Sequence, residues 1–416
     1  MALTKLTTNL IDGTIVTSVN GSSGAVTLET GTDWQTAIQT SNFTAVASKG
    51  YFVNTTSAAI TVTLPVGDVG TEIEIQDYAG TFATNKVILT ANGSEKIQGE
   101  SDAFKCDTKN ATVTLIYQDA TRGWTASNIS TNVPPFTVNY LVVAGGGSGA
   151  WQHGGGGGAG GLRTSYGSTT GGGGSAESAL TLIKGINYAV IIGAGAPSVN
   201  GVGSNTAGVN GSNSVFATIT STGGGGGSAY AGATVPGDGG SGGGGGNQTS
   251  TTQLGGLALS PTQGHIGGTG STGAANYPSG GGGGAGAAGG NASGNTNGGP
   301  GGIGLSISIT GTGVYYAGGG GSGTYNGGTP GTGGNGGGGA GVVSGNSNSG
   351  TPNTGGGGGG VGTSAPSMTG GGGSGIVILR YSNSLTISGL TGSTTTVGTD
   401  KVTTFTNVAT GNIQFN

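Results

Sequence analysis

The feature that most constrains the fold is a set of glycine blocks between residues 145 and 375. Of 104 glycines, 11 precede residue 134 and 4 follow residue 375, which leaves 89 in this segment. A flexible linker has no need of the apolar stretches that separate the blocks. Collagen requires glycine at every third position and abundant proline, whereas these blocks are irregular and the chain has 11 prolines. No Gly-Lys-Ser/Thr follows any GxGxxG match, so a phosphate loop is not indicated.

The remaining interpretation is glycine as packed backbone. Extended glycine chains lack Cβ atoms and can approach closely enough to form lateral N–H to C=O bonds. A polyproline-II helix leaves all its backbone groups free for such bonds. Because ordering glycine is entropically costly, a bundle of these helices needs a rigid frame. The blocks predicted to form it are 145–147, 154–158, 171–174, 223–227, 242–246, 280–284, 318–321, 336–339, 355–360 and 370–373.

The stretches between and after the blocks have the composition of β-strands, which supplies the frame. ALTLI and YAVIIG are separated by KGIN, which predicts a hairpin around Gly185. In VYYAG, one of Tyr315 and Tyr316 is expected in the core. The predicted strands are NYLVVA (139–144), ALTLI (179–183), YAVIIG (188–193), SVFATIT (214–220), LSISIT (305–310), VYYAG (314–318), SGIVILRY (374–381), LTISGL (385–390), VTTFTNV (402–408) and NIQF (412–415).

The first third of the chain has an ordinary composition, with 19 of the 26 charged side chains before Pro134. Alternation in ITVTLP, EIEIQD, KVILTA and TVTLIYQD predicts a β-sandwich in which Trp124 is enclosed. The sequence therefore predicts an all-β protein with a short segment at 1–47, a sandwich at 48–131 and a glycine-rich domain at 132–416.

Charge and composition exclude several classes of partner. A net charge of −4 provides no basic stripe for nucleic acid, and no apolar run approaches the roughly 20 residues of a membrane helix. The start, MALTKLTTNL, lacks the apolar core of a secretion signal. Cys106 is the single cysteine, so no intrachain disulfide is possible.

The motifs YLVVAGGGSG, GGGGGAGGLR, LIKGINYAVIIGAG and GGGGSGIVILRY occur in an order that resembles the glycine-rich domain of marine bacteriophage tail fibres. VTTFTNVATGNIQF is similar to the terminal strand pair of that family. The resemblance implies a tumour-necrosis-factor-like β scaffold (132–144, 179–220, 302–318 and 374–416) carrying a bundle of polyglycine-II helices. The same plan is similar to the glycine-rich domain of certain animal receptor kinases, and phage tail-tip adhesins are related in kind.

The N-terminal third also resembles phage fibre proteins. SVNGSSGAVTL (18–28) is similar to a spacer found near their start, and residues 50–99 resemble a small fibre knob. The resemblance implies that residues 1–47 serve virion attachment and oligomerisation and that the protein is a homotrimer. It further implies assembly with other virion tail proteins in the host cytoplasm, and location in the virion.

An enzyme is not expected, although some phage fibres are depolymerases. Catalytic sites need grouped acids, bases or nucleophiles, and residues 134–416 contain three carboxylates and two histidines. No cofactor or metal is predicted. A calcium site at Glu72, Glu74 and Asp77 is the alternative to a solvated strand face.

Binding is favoured by the residues that interrupt the glycine blocks. Side chains at turns between polyglycine helices are expected to face solvent, and aromatic rings among Ser, Asn and Gly are typical of recognition surfaces. The receptor-binding candidates are Trp151, His153, Tyr230, His265, Tyr277 and Tyr325.

The expected function is therefore that of a tail fibre or tail-tip adhesin contacting a host surface polysaccharide or outer-membrane protein. The alternative is a structural capsid fibre or decoration protein without a dedicated receptor. An ice-binding polyglycine protein would have regular three-residue repeats with flat Thr or Ala faces, which are absent.

Overall fold

The computed structural model describes residues 18–19, 22–23, 32–131, 135–201, 205–230, 234–363, 365–406 and 408–416. The chain divides into two compact units, Met1–Val133 and Pro134–Asn416. Within the described residues the fold is all-β, and none of the helices is long and apolar enough to cross a membrane.

The first unit contains two sheets between which the chain alternates. A five-stranded sheet has the order β11-β10-β7-β5-β3 and a four-stranded sheet the order β4-β6-β8-β9. Because β3 to β8 alternate between the sheets, neighbours among them within a sheet are parallel. The strands are β1 Ser18–Val19, β2 Ser22–Ser23, β3 Asp33–Gln39, β4 Phe43–Thr44, β5 Lys49–Val53, β6 Ile60–Thr63, β7 Glu72–Asp77, β8 Val87–Thr90, β9 Phe104–Cys106, β10 Ala111–Asp119 and β11 Gly123–Thr131.

The core of this unit consists of the alternate side chains that each strand directs inwards. Ile73 and Ile75 of β7 are buried, as are Val113 and Leu115 of β10, and Trp124 is enclosed as predicted. The predicted boundary at residue 48 is wrong, because β3 and β4 precede it and belong to these two sheets. Ala45 is also part of the core.

In the second unit, two antiparallel sheets form a scaffold. One has the order β13-β12-β22-β25-β24, with β14 also paired to β12, and the other the order β18-β17-β15-β26-β23. The strands are β12 Phe136–Val143, β13 Leu162–Thr164, β14 Leu180–Leu182, β15 Asn187–Ile191, β16 Asn200–Gly201, β17 Ser214–Phe216, β18 Ile219–Ser221, β19 Leu305–Ile307, β20 Val314–Tyr316, β21 Ser367–Met368, β22 Ile376–Ser382, β23 Ile387–Gly389, β24 Ser393–Val397, β25 Asp400–Phe405 and β26 Thr410–Phe415.

Both faces of the central strands β12 and β22 are buried, which explains their uninterrupted apolar sequences. Tyr140 and Leu379 point into the core between the two scaffold sheets, which also contains Phe216 and Phe415. Leu141, Val143, Ile376 and Ile378 lie on the opposite face, in a second core with Ile307 and Tyr316 of the β19–β20 pair. Tyr316 is thus the buried member of its pair, and Tyr315 is exposed.

The predicted hairpin around Gly185 is absent. β14 pairs with β12 in one scaffold sheet, whereas β15 pairs with β26 and β17 in the other. The KGIN segment therefore carries the chain from one sheet to the other. The short spacing matched a hairpin, but pairing with sequence-distant strands decided the topology.

The glycine-rich segments form a bundle whose centre is residues 154–161, here called the central helix. Its N–H groups bond to three neighbouring segments in rotation. Gly154, Gly157 and Gly160 donate to carbonyls of residues 361, 358 and 355, and Gly155, Gly158 and Gly161 to those of 228, 225 and 222. Gly156 and Ala159 donate to 280 and 283. This period of three is that of a polyproline-II helix.

Carbonyl groups of the central helix accept bonds from three further segments. Residues 144, 147 and 150 donate to 161, 158 and 155; residues 323 and 320 donate to 154 and 157; residues 244 and 241 donate to 156 and 159. The central helix is therefore surrounded by six neighbours, as in a hexagonal lattice of polyglycine-II helices. Residues 355–362 and 280–285 are surrounded in the same way.

Close backbone approach explains the requirement for glycine in this lattice. A Cβ atom on Gly157 would lie 2.2 Å from the carbonyl oxygen of Gly147, and one on Gly357 would lie 2.0 Å from that of Gly157. Both obstacles are backbone atoms that are themselves hydrogen-bonded in the lattice. A side chain at either position would have to push neighbouring helices apart.

Two predicted blocks contain turns instead of continuous helices. Residues Gly171–Gly173 form a short 3-10 turn in which Gly172 and Gly173 have positive φ. Gly336 and Gly337 also have positive φ, at the reversal between two bundle helices. Glycine serves here for its left-handed conformation, which composition alone does not distinguish from close packing.

The helices run up and down between two ends of the bundle. At the end called the scaffold end, Ala144 and Thr222 continue directly from β12 and β18 and bond to Gly161. At the opposite end, called the tip, the central helix begins at Gly154 beside residues 361 and 323. The described tip turns include residues 151–153, 248–252, 272–278, 293–297, 325–328 and 343–346.

Candidate functional site

Four of the six predicted binding residues meet at the tip. His153, Tyr230, Tyr277 and Tyr325, here called the tip cluster, come from four separate turns. The His153 ring stacks on Tyr277 with centroids 4.2 Å apart and planes 8° apart, and meets the edge of Tyr230 at 4.7 Å and Tyr325 at 5.3 Å. Tyr277 also contacts both other tyrosine rings, at 5.7 and 5.9 Å.

His153 is the centre of the cluster and its backbone is held firmly. Gln152 and His153 both have left-handed φ, 64° and 47°, which reverses the chain into the central helix. The His153 N–H donates to the Gly362 carbonyl, and its own carbonyl accepts from the Ser279 hydroxyl at 2.5 Å. The Gln152 carbonyl accepts the N–H of Tyr230, which ties a second cluster residue to the same turn.

Burial sets the charge state of the His153 ring. The residue is 6% exposed, and burial lowers the pKa of His153 to about 4 because the charged imidazolium would lose its hydration. Its Nδ1 atom has no hydrogen-bond partner among the described residues. The ring is therefore neutral at pH 7 and contributes a flat surface for Tyr277. The expectation that this side chain faces solvent is wrong.

The three tyrosines form the accessible part of the cluster. Tyr325 is 36% exposed, and Tyr230 and Tyr277 are half-buried. The cluster thus offers fixed aromatic rings together with phenolic hydroxyl groups, a combination suited to amphipathic ligands.

Trp151 was predicted to face solvent, and the structure contradicts this. It is 2% exposed, and its indole N–H donates to the Ser367 hydroxyl at 3.1 Å and the Ala365 carbonyl at 3.3 Å. The ring lies so close to Gly201 that a Cβ there would be 2.1 Å away. Trp151 fills the interior of the tip, because the turn packs against segments distant in sequence.

His265 lies away from the tip cluster. Its N–H bonds to the carbonyl of Gly284, near the scaffold end, and the ring is half-buried. Burial lowers the pKa of this histidine as well. Sequence spacing placed His265 in a turn, whereas the residue belongs to a bundle helix that follows Gln263.

The calcium alternative is not supported by the geometry of β7. Asp77 is on the buried face of the strand and accepts N–H bonds from Thr81, Phe82 and Asn110. Glu72 and Glu74 lie on the opposite face, where Glu74 accepts from the Thr114 hydroxyl. Across the described residues no group of three acidic, His or Cys side chains could hold a metal ion.

Two partly buried ion pairs of the scaffold were not anticipated. Arg163 forms a forked pair with Glu177, whose carboxylate also accepts from the Tyr140 hydroxyl at 2.8 Å. Arg380 binds Asp400 at 2.8 Å. The Arg380–Asp400 pair joins the neighbouring strands β22 and β25, and the Arg163–Glu177 pair joins β13 to the segment before β14. The sequence does not predict either pair, because the partners meet only in the folded scaffold.

The match to a known protein family lies mainly in the second unit. No curated protein matches the chain. A family model described as a glycine-rich domain matches residues 121–382, which includes the scaffold strands β12 to β22 and the whole bundle. On this match, the chain belongs to the glycine-rich domain family.

Proposed function

We propose that this protein is a bacteriophage tail fibre or tail-tip adhesin that contacts the host surface through its bundle tip. The observation that carries the proposal is the convergence of His153, Tyr230, Tyr277 and Tyr325 at the end opposite the scaffold. A rigid lattice with aromatic side chains at the end opposite its scaffold resembles a platform for recognition, since fixed aromatic groups lose little entropy on binding.

The sequence resemblance to phage fibres supports this reading, and membership of the glycine-rich domain family is compatible with it. We further propose that the chain is carried in the virion as a homotrimer with other tail proteins. Three tips held together would bind a repetitive surface by avidity, which raises the overall affinity of weak single sites.

Adsorption of virions that carry the protein tests the proposal. Replacing Tyr230, Tyr277 and Tyr325 together by alanine should reduce the adsorption rate at least about tenfold, since true anchors each contribute over about 1 kcal/mol. The matched control is Tyr315→Ala, which removes a tyrosine that is 48% exposed at the scaffold end. Both variants should still unfold in a cooperative transition, the triple variant at a lower temperature because His153 loses the three rings that contact it.

Wild-type adsorption by the triple variant would contradict the proposal and favour a structural capsid fibre or decoration protein. Labelling of virions with an antibody, followed by electron microscopy, separates the two locations. We expect label at the distal end of the tail.

A further inference from the structure

With the exception of Asp238, the charged residues of the second unit lie in its scaffold. Residues 134–162 and 185–379, which together include nearly the whole bundle, contain a single charged side chain, Asp238. The Asp238 carboxylate accepts the N–H of Leu257, and the next residues bond to Leu257 and Gly223 on the scaffold side. Arg163, Glu177, Arg380 and Asp400 are paired with one another in the scaffold.

The tip therefore presents aromatic and small polar groups without any ionic group. Its turns have sequences such as QTSTT, TGAANYP and SGNTN, rich in hydroxyl and amide side chains. His153 adds no charge, because its ring is neutral at pH 7. An anionic ligand would lose hydration on contact with this surface and gain no cation in return.

Half-exposed tyrosine rings match one kind of ligand particularly well. The C–H faces of a sugar ring can stack on an aromatic face while its hydroxyls bond to the tyrosine hydroxyls and neighbouring amides. A protein ligand requires roughly 800 Å² per partner with deeply desolvated anchors. The tip cluster exposes parts of three tyrosine rings, which suits a few sugar units.

We infer that the tip cluster binds a neutral glycan, an uncharged polysaccharide chain of the host surface. The inference rests on the proposed function of the tip as a recognition surface and specifies the chemical class of its ligand. Binding occurs by ring stacking and neutral hydrogen bonds, so it is insensitive to ionic strength.

The test measures binding of the purified full chain to cells of the bacterium that the virion infects. Cells are used untreated, after periodate oxidation of sugar diols, and after proteinase K digestion. We expect periodate to reduce binding at least about tenfold and proteinase K to leave it unchanged. Binding in 0.05 M and 0.5 M NaCl, concentrations chosen to span roughly 14 to 4 Å in Debye length, should agree within about twofold. Alginate, an acidic polysaccharide, should not compete.

Variants connect the binding to the tip. Tyr325→Ala, at the most exposed ring of the cluster, should weaken binding about tenfold, the effect of losing roughly 1.4 kcal/mol at an anchor, and Tyr315→Ala should not change it. Loss of binding after proteinase K treatment alone would show that the ligand is not a glycan, while the proposed role as an adhesin would stand. Competition by alginate, or loss of binding at high salt, would contradict the inference that the bound glycan is uncharged. Absence of binding to untreated cells would overturn the proposed function and this inference together.

Discussion

The sandwich of the first unit and the bundle of the second unit achieve close packing by opposite means. In the sandwich, side chains such as Leu115 and Trp124 fill the space between two sheets. In the bundle, Gly157 and Gly357 bring backbones so close that a single Cβ would collide with a carbonyl. Apolar side chains fill the interior of the sandwich and exclude water from it. In the bundle, which has almost no side chains, water is excluded because the backbones are in direct contact.

The comparison shows that backbone hydrogen bonds can organise a domain when glycine removes the spacing imposed by side chains. Net contributions of about 1 kcal/mol per hydrogen bond must offset the large entropic cost of ordering glycine. The bundle is therefore joined at one end to a scaffold with conventional apolar cores. Substitutions should therefore affect the two regions in opposite ways. Removing side-chain atoms should destabilise the sandwich, and adding them should destabilise the bundle.

The largest expected effect is that of one added carbon in the lattice. Gly357→Ala should destabilise the second unit by more than about 4 kcal/mol, because the methyl group has only hydrogen-bonded backbone to displace. Leu115→Ala, which removes three carbons from the sandwich, should cost about 2–5 kcal/mol in the first unit. Differential scanning calorimetry of the full chain separates the transitions.

The matched control is Gly174→Ala. Gly174 has φ −70°, and its nearest atom to an added Cβ is a side-chain methyl of Thr170 at 3.4 Å. The free energy of unfolding of this variant should lie within about 0.5 kcal/mol of the wild-type value. Equal melting of the Gly357 and Gly174 variants would show that the bundle glycines are spacers.

The second-largest effect is the loss of stability of the second unit at acidic pH. Both histidines of the chain are in the second unit, and burial lowers the pKa of His153 to about 4. The unfolded chain takes up this proton near pH 6.5, whereas the folded chain resists until about pH 4. Stability is therefore complete above pH 6.5 and falls by about 3 kcal/mol as the pH drops towards 4.

Urea unfolding of wild type and His153→Phe at pH 7 and pH 4 measures this contribution. The variant keeps a ring for Tyr277 and should lose less stability between the two pH values. The first unit, which has no histidine, should show the same pH dependence in both proteins. An identical loss in the second unit would contradict the role of buried His153.

The smallest effect is expected at the perimeter of the bundle, where helices lack a neighbour on one side. The Asn210 side-chain carbonyl accepts the N–H of Gly226 at 2.8 Å, and Asn213 accepts that of Gly223 at 2.9 Å, three residues apart. Asn210→Ala should cost about 1 kcal/mol, since water can reach the exposed side of this bond. Amide exchange of Gly226 should accelerate selectively.

Asn348→Ala is the control for this substitution. Asn348 is also exposed on the bundle perimeter, but its bonds are made by the backbone. Unchanged exchange at Gly226 in Asn210→Ala would mean that side-chain amides do not replace missing helices. The sandwich has such a bond of its own, in which the Asn42 side-chain carbonyl accepts the N–H of Thr61 in β6 at 2.7 Å.

Several parts of the fold follow from local sequence. Unbroken apolar runs at β12 and β22 predict strands buried on both faces, and alternation in β7 and β10 predicts strands buried on one face. Glycine blocks of four or five residues predict packed backbone, since a side chain anywhere in them would prevent close approach. Aromatic residues between the blocks mark where the chain turns.

Other parts depend on partners far away in the chain. Trp151 and His153 are two residues apart in one turn. Trp151 is buried and donates a hydrogen bond to Ser367. The His153 ring instead contacts the rings of Tyr230, Tyr277 and Tyr325. Likewise the KGIN segment crosses between sheets because β15 has β26 as its neighbour.

The sequence by itself determined the all-β class, the packed glycine backbone and the concentration of aromatic residues at turns, because composition and periodicity act locally. Only the tertiary structure decided which turns share an end of the bundle and which of their rings are covered. A polyglycine helix donates and accepts bonds in six directions without side chains to distinguish them. Its neighbours are therefore selected by the lengths of turns and by the scaffold strands that fix the ends, which no local pattern encodes.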